Sequence, residues 1–174
     1  MSTHMPKREE DFKENIRDME EIWQFRYWWA AIDGCHIPIK CPAGSLKSCK
    51  EYHNFKNFYS IVMMAMVDSN CRFIWGTCGF PGNSHDAIIF QSTQMWSEIK
   101  EVKFIPQIAK NINGVLVPPL VVGDSAFPFQ QWLMKPYSNA VLTPKQGTLT
   151  TASVGQEWLL KNVMVNWKED GEFY

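Results

Sequence analysis

The stretch Trp28-Trp29-Ala30-Ala31-Ile32-Asp33-Gly34-Cys35-His36-Ile37-Pro38-Ile39 sets two apolar runs on either side of one acid and one glycine. Short runs of this kind, bounded by turn formers, read as strand. Asp-Gly between two such runs is also among the strongest hairpin dipeptides, because both positions tolerate positive φ. Spacing alone favours the turn; the other reading is an acid standing where a buried strand ends. The first makes Asp33 a solvated corner. The second places it where sheet strands bring distant residues together.

Working outward, Tyr59 to Val67 is a strong apolar run, and Cys71 to Gly76 follows after Asp68-Ser69-Asn70. Two β-like runs joined by three turn formers predict a hairpin, in which Asp68 has turn chemistry only. Pro81-Gly82-Asn83 breaks the pattern. Ser84 can then cap a helix whose residues 87, 88, 95, 96 and 99 share an apolar face. Val115 to Val122 reads as one buried strand despite Pro118-Pro119, Phe129 to Met134 as a short helix, and Ala140 to Leu142 as a short strand. The stretch from Glu157 to Trp167 is amphipathic. Residues 1–22 carry four bases and seven acids and read as a charged, helical leader. Three strands followed by alternating helices and strands predict an α/β fold, a mixed sheet flanked by helices. No G-x-G-x-x-G, Walker A or G-x-S-x-G motif occurs, so nucleotide-binding and serine-hydrolase readings lose their main support.

Composition narrows the function classes. A chain of 174 residues suits one domain with a sizeable core. With 45% hydrophobic and 20% charged residues, wholesale disorder is excluded. A formal net charge of -1 excludes a protein that coats nucleic acid by bulk charge. Cysteines 35, 41, 49, 71 and 78 are odd in number and contain no C-x-x-C pair, which argues against a disulfide framework or structural zinc and for a reducing compartment. The longest apolar run, Ile61 to Val67, is far short of the ~18 residues that span a bilayer. Charge begins at Lys7, so no secretory signal is expected.

Three aspartates are candidates for chemistry: Asp33, Asp86 in Gly-Asn-Ser-His-Asp, and Asp124 after Leu-Val-Val-Gly. Carboxylates at strand ends can converge, and Mg²⁺ or Mn²⁺ takes oxygen ligands of this kind. Each has a structural alternative: a turn for Asp33, a helix-dipole partner for Asp86, a cap or turn for Asp124. His36 and His85 lie near these acids, and a hydrogen-bonded structural role suits each best. A zinc site from Cys35, His36, Cys41 and His53 fits no usual spacing. Residues 40–58 hold Lys40, Lys47, Lys50 and Lys56 with Tyr52, His53, Phe55 and Phe58. Such a segment suits a nucleic-acid backbone, with lysines on phosphates and rings on bases; a solvated connecting loop is equally consistent.

Four ordered blocks carry a family resemblance. Trp23-Gln24-Phe25 followed by Ala30 to Ile39 resembles the opening of the nuclease domain of PIF/Harbinger transposases, the family that includes the Harbinger transposase-derived nucleases. Tyr52 to Val62 is similar to its Tyr-x-Asn-x-Lys-x-x-x-Ser stretch. Phe80 to Asp86, with Ile89-Phe90 and Ser92, resembles its Gly-x-x-x-Asp block. Val122 to Pro128, then Trp132 to Tyr137, resembles the next.

The resemblance implies an RNase H-like fold over residues 23–146 and a DDE-superfamily nuclease. In that family a strand runs through the position of Asp33, which would be the first catalytic acid. Asp124 would be the second, and Asp86 a further metal ligand. The family's last acid is a helical glutamate, carried here by Glu157. The surrounding Thr151 to Lys161 lacks the family's preceding arginine and following Phe-Gly, so residues 147–174 read as a divergent tail. The implied activity is two-metal hydrolysis of DNA phosphodiesters with Mg²⁺ or Mn²⁺. A separate Myb-like DNA-binding protein is the implied partner, and the nucleus the implied location, with the cytoplasm as a second. The competing expectation is a catalytically inactive domesticated descendant that serves as a protein-interaction or chromatin-associated module. Charge divides unevenly: residues 1–22 sum to -3, whereas residues 23–150 hold eleven bases and seven acids, a net +4. That is too little for tight DNA binding by this chain alone.

Overall fold

The computed structural model describes residues 5–135, apart from 25, 44–45, 102–107 and 113, and apart from the side chains of 46–48 and 112. The expected strand at 140–142, the amphipathic stretch at 157–167 and Glu157 lie outside the described residues. The chain begins with α1 (Glu9–Trp23). Glu9, Glu10 and Asp11 lie in its first turn, where negative charge suits the helix dipole. Asp11 accepts hydrogen bonds from the Arg8 backbone N–H at 3.2 Å and the Arg8 guanidinium at 2.8 Å. The apolar side of this charged helix is buried through Phe12 and Met19, and the Phe12 ring meets Trp29 edge-on at 4.8 Å.

Strand β1 (Trp28–Pro38) runs unbroken through Asp33 and Gly34. It pairs antiparallel with β2 (Ser60–Val67) from Ala31 opposite Val67 to Pro38 opposite Ser60. The hairpin reading of Asp33-Gly34 is therefore overturned: eight consecutive pairings with a distant strand outweigh a local turn preference. β3 (Phe73–Pro81) completes the predicted hairpin with β2, and the Asp68–Asn70 turn lies where expected.

After β3 the predicted long helix is two short ones, α3 (Asp86–Gln91) and α4 (Gln94–Lys100). The break has a local cause. Ser92 Oγ donates to Ile89 O and Thr93 Oγ1 to Phe90 O, and Thr93 then caps α4 by accepting from Trp96 N at 3.2 Å. Hydroxyl side chains compete in this way with the helical backbone. His85, not Ser84, occupies the N-cap of α3.

The expected strand over 115–122 is also divided. β4 (Lys110–Ile112) and β5 (Val115–Val117) form a separate hairpin, and β6 (Leu120–Val122) joins the main sheet. Pro118-Pro119 has no backbone N–H to donate to a ladder. The helix expected at 129–134 is absent; Leu133–Met134 is instead β7, parallel to β6. Pairing with Val121 and Val122 supplies that backbone with partners a two-turn helix would lack.

The main sheet has the order β3-β2-β1-β6-β7. Its first three strands are antiparallel neighbours and its last three parallel ones. With its flanking helices it is the mixed α/β sheet of RNase H-like folds. One core joins Ala30, Ile32, Val62, Met64 and Val121 of the sheet to Phe12, Ile89, Phe90, Met95 and Ile99 of the helices. A second gathers Met19, Trp28, Ala31, Val67 and Val122. Alternate residues of β1 and β6 thus serve opposite faces, as strand geometry requires.

Candidate active site

β1 changes character at Asp33. Trp28 to Ile32 are buried, Asp33 to Ile37 are half-buried, and Pro38 is exposed. The sheet explains the change. β6 ends at Val122, opposite Ala31, while β1 continues to Pro38. Beyond that point β1 keeps only β2 as a strand neighbour among the described residues. The chain also crosses here from β3, over β2 and β1, to β6. Crevices at the carboxyl ends of parallel strands, where strand order reverses, are common ligand sites in α/β sheets.

Asp33 and Asp124 both lie at this crevice. Ala31 pairs with Val122, so two residues further along each chain stand Asp33 and Asp124. Asp33 Oδ1 accepts from Gly34 N at 2.8 Å, and Asp124 Oδ1 from Ala126 N at 2.9 Å. Each short bond fixes one carboxylate oxygen.

Asp86 reaches the crevice from α3. A Cβ placed on Gly34 would lie 2.5 to 2.8 Å from all three atoms of the Asp86 carboxyl group. The carboxylate therefore rests directly on the bare backbone of β1 at Gly34. Burial pushes the Asp86 pKa up, the negative charge of Asp124 pushes it further, and His85 opposes both. No hydrogen-bond donor among the described residues reaches this carboxylate. Its charge is held in a partly dry place beside another charge of the same sign.

The donor chemistry, though not a closed geometry, is of the kind a divalent cation takes. It consists of hard carboxylate oxygens, and a cation would remove the repulsion that Asp86 carries. Among the described residues no three His, Cys, Asp or Glu side chains lie together so as to hold a metal ion. Asp33, Asp86 and Asp124 all lie at one end of the sheet without converging on a single point, and Glu157 lies outside the described residues.

The basic-aromatic segment packs beside the end of β1. Asn54 organises it: Oδ1 accepts from Lys56 N at 2.9 Å and Phe58 N at 3.3 Å, while Nδ2 donates to Ser60 Oγ at 2.9 Å. His36 Nδ1 shares a 3.0 Å hydrogen bond with the same Ser60 hydroxyl. His36 is thus tied into this segment, as a structural histidine would be. Gly82 packs against the ends of the same segment. A Cβ there would come within 2.6 Å of the Tyr52 and Ser60 carbonyl oxygens, so only glycine lets the β3 exit pass this close. On the outer surface Phe55 is 79% exposed, its ring 5.6 Å from His36, with Lys56 Nζ 5.5 Å from the ring centroid. Lys40, Lys50 and Lys56 are exposed; the Lys47 side chain lies outside the described residues. The importance of Asn54 and Gly82 escaped the reading of residues as chemistry, although both stand in blocks that carry the resemblance.

A family model described as DDE superfamily endonuclease matches residues 32–169. That is most of the chain, and the span takes in Asp33, Asp86, Asp124 and Glu157. The chain belongs to this family, and its resemblance to Harbinger transposase-derived nuclease domains is supported by a curated relative. Protein ALP1-like of Arabidopsis thaliana is 30% identical over 115 residues, which cover 62% of this chain and 26% of that protein. The chain thus spans about a quarter of that relative's length. No solved structure matches the chain. DDE endonucleases generally use divalent metals.

Proposed function

We propose that this member of the DDE superfamily endonucleases is a transposase-derived nuclease that hydrolyses DNA phosphodiesters at the crevice between β1 and β6. The register that aligns Asp33 with Asp124, with Asp86 laid against Gly34, carries the reading. Asp33 and Asp124 would hold two Mg²⁺ or Mn²⁺ ions between them, and Asp86 would add a third carboxylate, with Glu157 as the last acid. Bound there, the cations would supply a nucleophilic hydroxide and neutralise the phosphate and the leaving oxygen. The protein's own part is positional. The Gly34 and Ala126 amides hold one oxygen each of Asp33 and Asp124, and burial keeps Asp86 short of water.

The DNA strand would lie along the segment of residues 53–59, with Lys56 on phosphate and Phe55 against a base. Lys40, Lys47 and Lys50 would extend this track. The modest positive charge of residues 23–150 supports a division of labour in which a separate Myb-like protein supplies DNA affinity. Work on DNA would put the protein in the nucleus, with the cytoplasm as a second location.

Mn²⁺ titration by calorimetry, paired with Mg²⁺-dependent cleavage of duplex DNA, tests the proposal. The protein should bind metal and cut. Asp33→Asn should lower the cleavage rate by ~10³-fold or more, the scale on which a reaction's main electrostatic support is lost, without unfolding the sheet. Full cleavage by that variant would sink the assignment. Metal binding without any cleavage would favour the inactive, protein-binding descendant.

A further inference from the structure

Cys41 and Cys49 stand apart from the acids. Their Sγ atoms are 2.8 Å apart. Both lean on one carbonyl: Pro42 O lies 3.7 Å from Cys41 Sγ and 3.3 Å from Cys49 Sγ. Cys41 is exposed and Cys49 half-buried. Closing this contact to a covalent S–S distance of ~2.05 Å takes a movement of less than ~1 Å. The remaining cysteines differ. Cys71 is half-buried, with no cysteine beside it among the described residues. Cys78 is exposed, with no cysteine beside it among the described residues.

We propose that Cys41 and Cys49 form a reversible disulfide when the protein meets a peroxide. The exposed Cys41 thiol, as its thiolate, attacks one peroxide oxygen, breaks the O–O bond and becomes a sulfenic acid, releasing water. The Cys49 sulfur then attacks the Cys41 sulfur, and the hydroxyl leaves as a second water. Two thiols and one hydrogen peroxide give one disulfide and two waters. A dithiol reductant reverses the step. In a reducing compartment such a pair is responsive and not architectural.

The bond would tie the exit of β1 to α2 (Leu46–Tyr52). α2 in turn supports the approach to Asp86: Glu51 O accepts from Asn83 N at 3.0 Å, and the Tyr52 carbonyl packs on Gly82. Oxidation would therefore stiffen the segment beside the end of β1 while leaving the three aspartates chemically unchanged.

Thiol counting and non-reducing peptide mapping after peroxide treatment test this. Titratable thiols should fall from five to three, with a loss of two hydrogen masses. Trypsin should release Cys41–Lys47 joined to Ser48–Lys50, and dithiothreitol should separate them. Cys41→Ser and Cys49→Ser should each abolish the linked pair, whereas Cys78→Ser should retain it. Cross-linked dimers without the 41–49 linkage would overturn the proposal. So would a sulfinic acid at Cys41 with Cys49 still free, or five titratable thiols after treatment.

Discussion

Two aspartates at opposite ends of the same sheet show what distinguishes scaffold from site. Asp68, at the β2–β3 turn, is 2% exposed and saturated with donors. Its Oδ1 accepts from Asn70 N and Arg72 N at 2.9 Å each, and its Oδ2 pairs with Arg72 Nε at 2.8 Å. Asp86 is less buried, yet it lacks a donor among the described residues and bears the repulsion of Asp124. The Asp68 end of β1 is sealed by Trp28, Trp29 and α1; the Asp86 end opens because β6 stops. A carboxylate that stabilises a fold is surrounded by N–H groups. Asp86, the proposed metal ligand, instead meets bare backbone and the charge of another acid.

The largest effect should come from removing the saturated acid. Asp68→Ala leaves two backbone N–H groups and the Arg72 guanidinium without their acceptor. It should cost ~2–4 kcal/mol of stability, readable by urea denaturation. Cleavage per folded molecule should be unchanged; a loss of cleavage at full folding would break the comparison.

Gly34→Ala should do the reverse. The new methyl displaces the Asp86 carboxylate, a movable side-chain end, and not backbone. Mn²⁺ affinity should fall by ~10–100-fold, as when a group supporting a metal site is lost, with a stability loss of less than ~1 kcal/mol. Unchanged Mn²⁺ affinity would remove Asp86 from the site.

The smallest effect should be a pH-dependent gain. Burial and Asp124 raise the Asp86 pKa, so the folded state holds that proton more tightly than the unfolded chain. The contribution of this group to stability is complete below its unfolded pKa and is lost as pH rises through the folded value. Metal-free Asp86→Asn should therefore match wild type in strong acid and exceed it in thermal midpoint at neutral pH. Added Mn²⁺ should narrow the difference by stabilising the wild type. A wild-type advantage in the metal-free protein at neutral pH would show that Asp86 has a partner.

Local chemistry was legible where it was sufficient. The β2–β3 hairpin needs only two apolar runs and Asp68-Ser69-Asn70 between them, and Asp68 could be read as a turn acid from position alone. The helix break at Ser92-Thr93 and the divided strand at Pro118-Pro119 were written in the residues but under-read, because periodicity was given more weight than hydroxyl competition and missing donors. β7 was not legible, since two residues become a strand only when β6 offers its edge. The site acids fall between these cases. Position made Asp33, Asp86 and Asp124 candidates but left each a turn, helix-dipole or cap alternative; the resemblance favoured the ligand reading.

The sequence by itself determined the apolar runs, the turn at Asp68, the α/β class and membership of a nuclease family, all of which rest on neighbours in the chain or on ordered words along it. Tertiary structure decided that β1 runs through Asp33-Gly34, that Asp124 aligns beside Asp33, and that the Asp86 carboxylate rests on Gly34. The physical reason is that these facts depend on pairing between segments tens of residues apart. The ladder to β2 overrides the turn preference of Asp-Gly, the early end of β6 opens the crevice, and the absent side chain of Gly34 leaves room for the third acid.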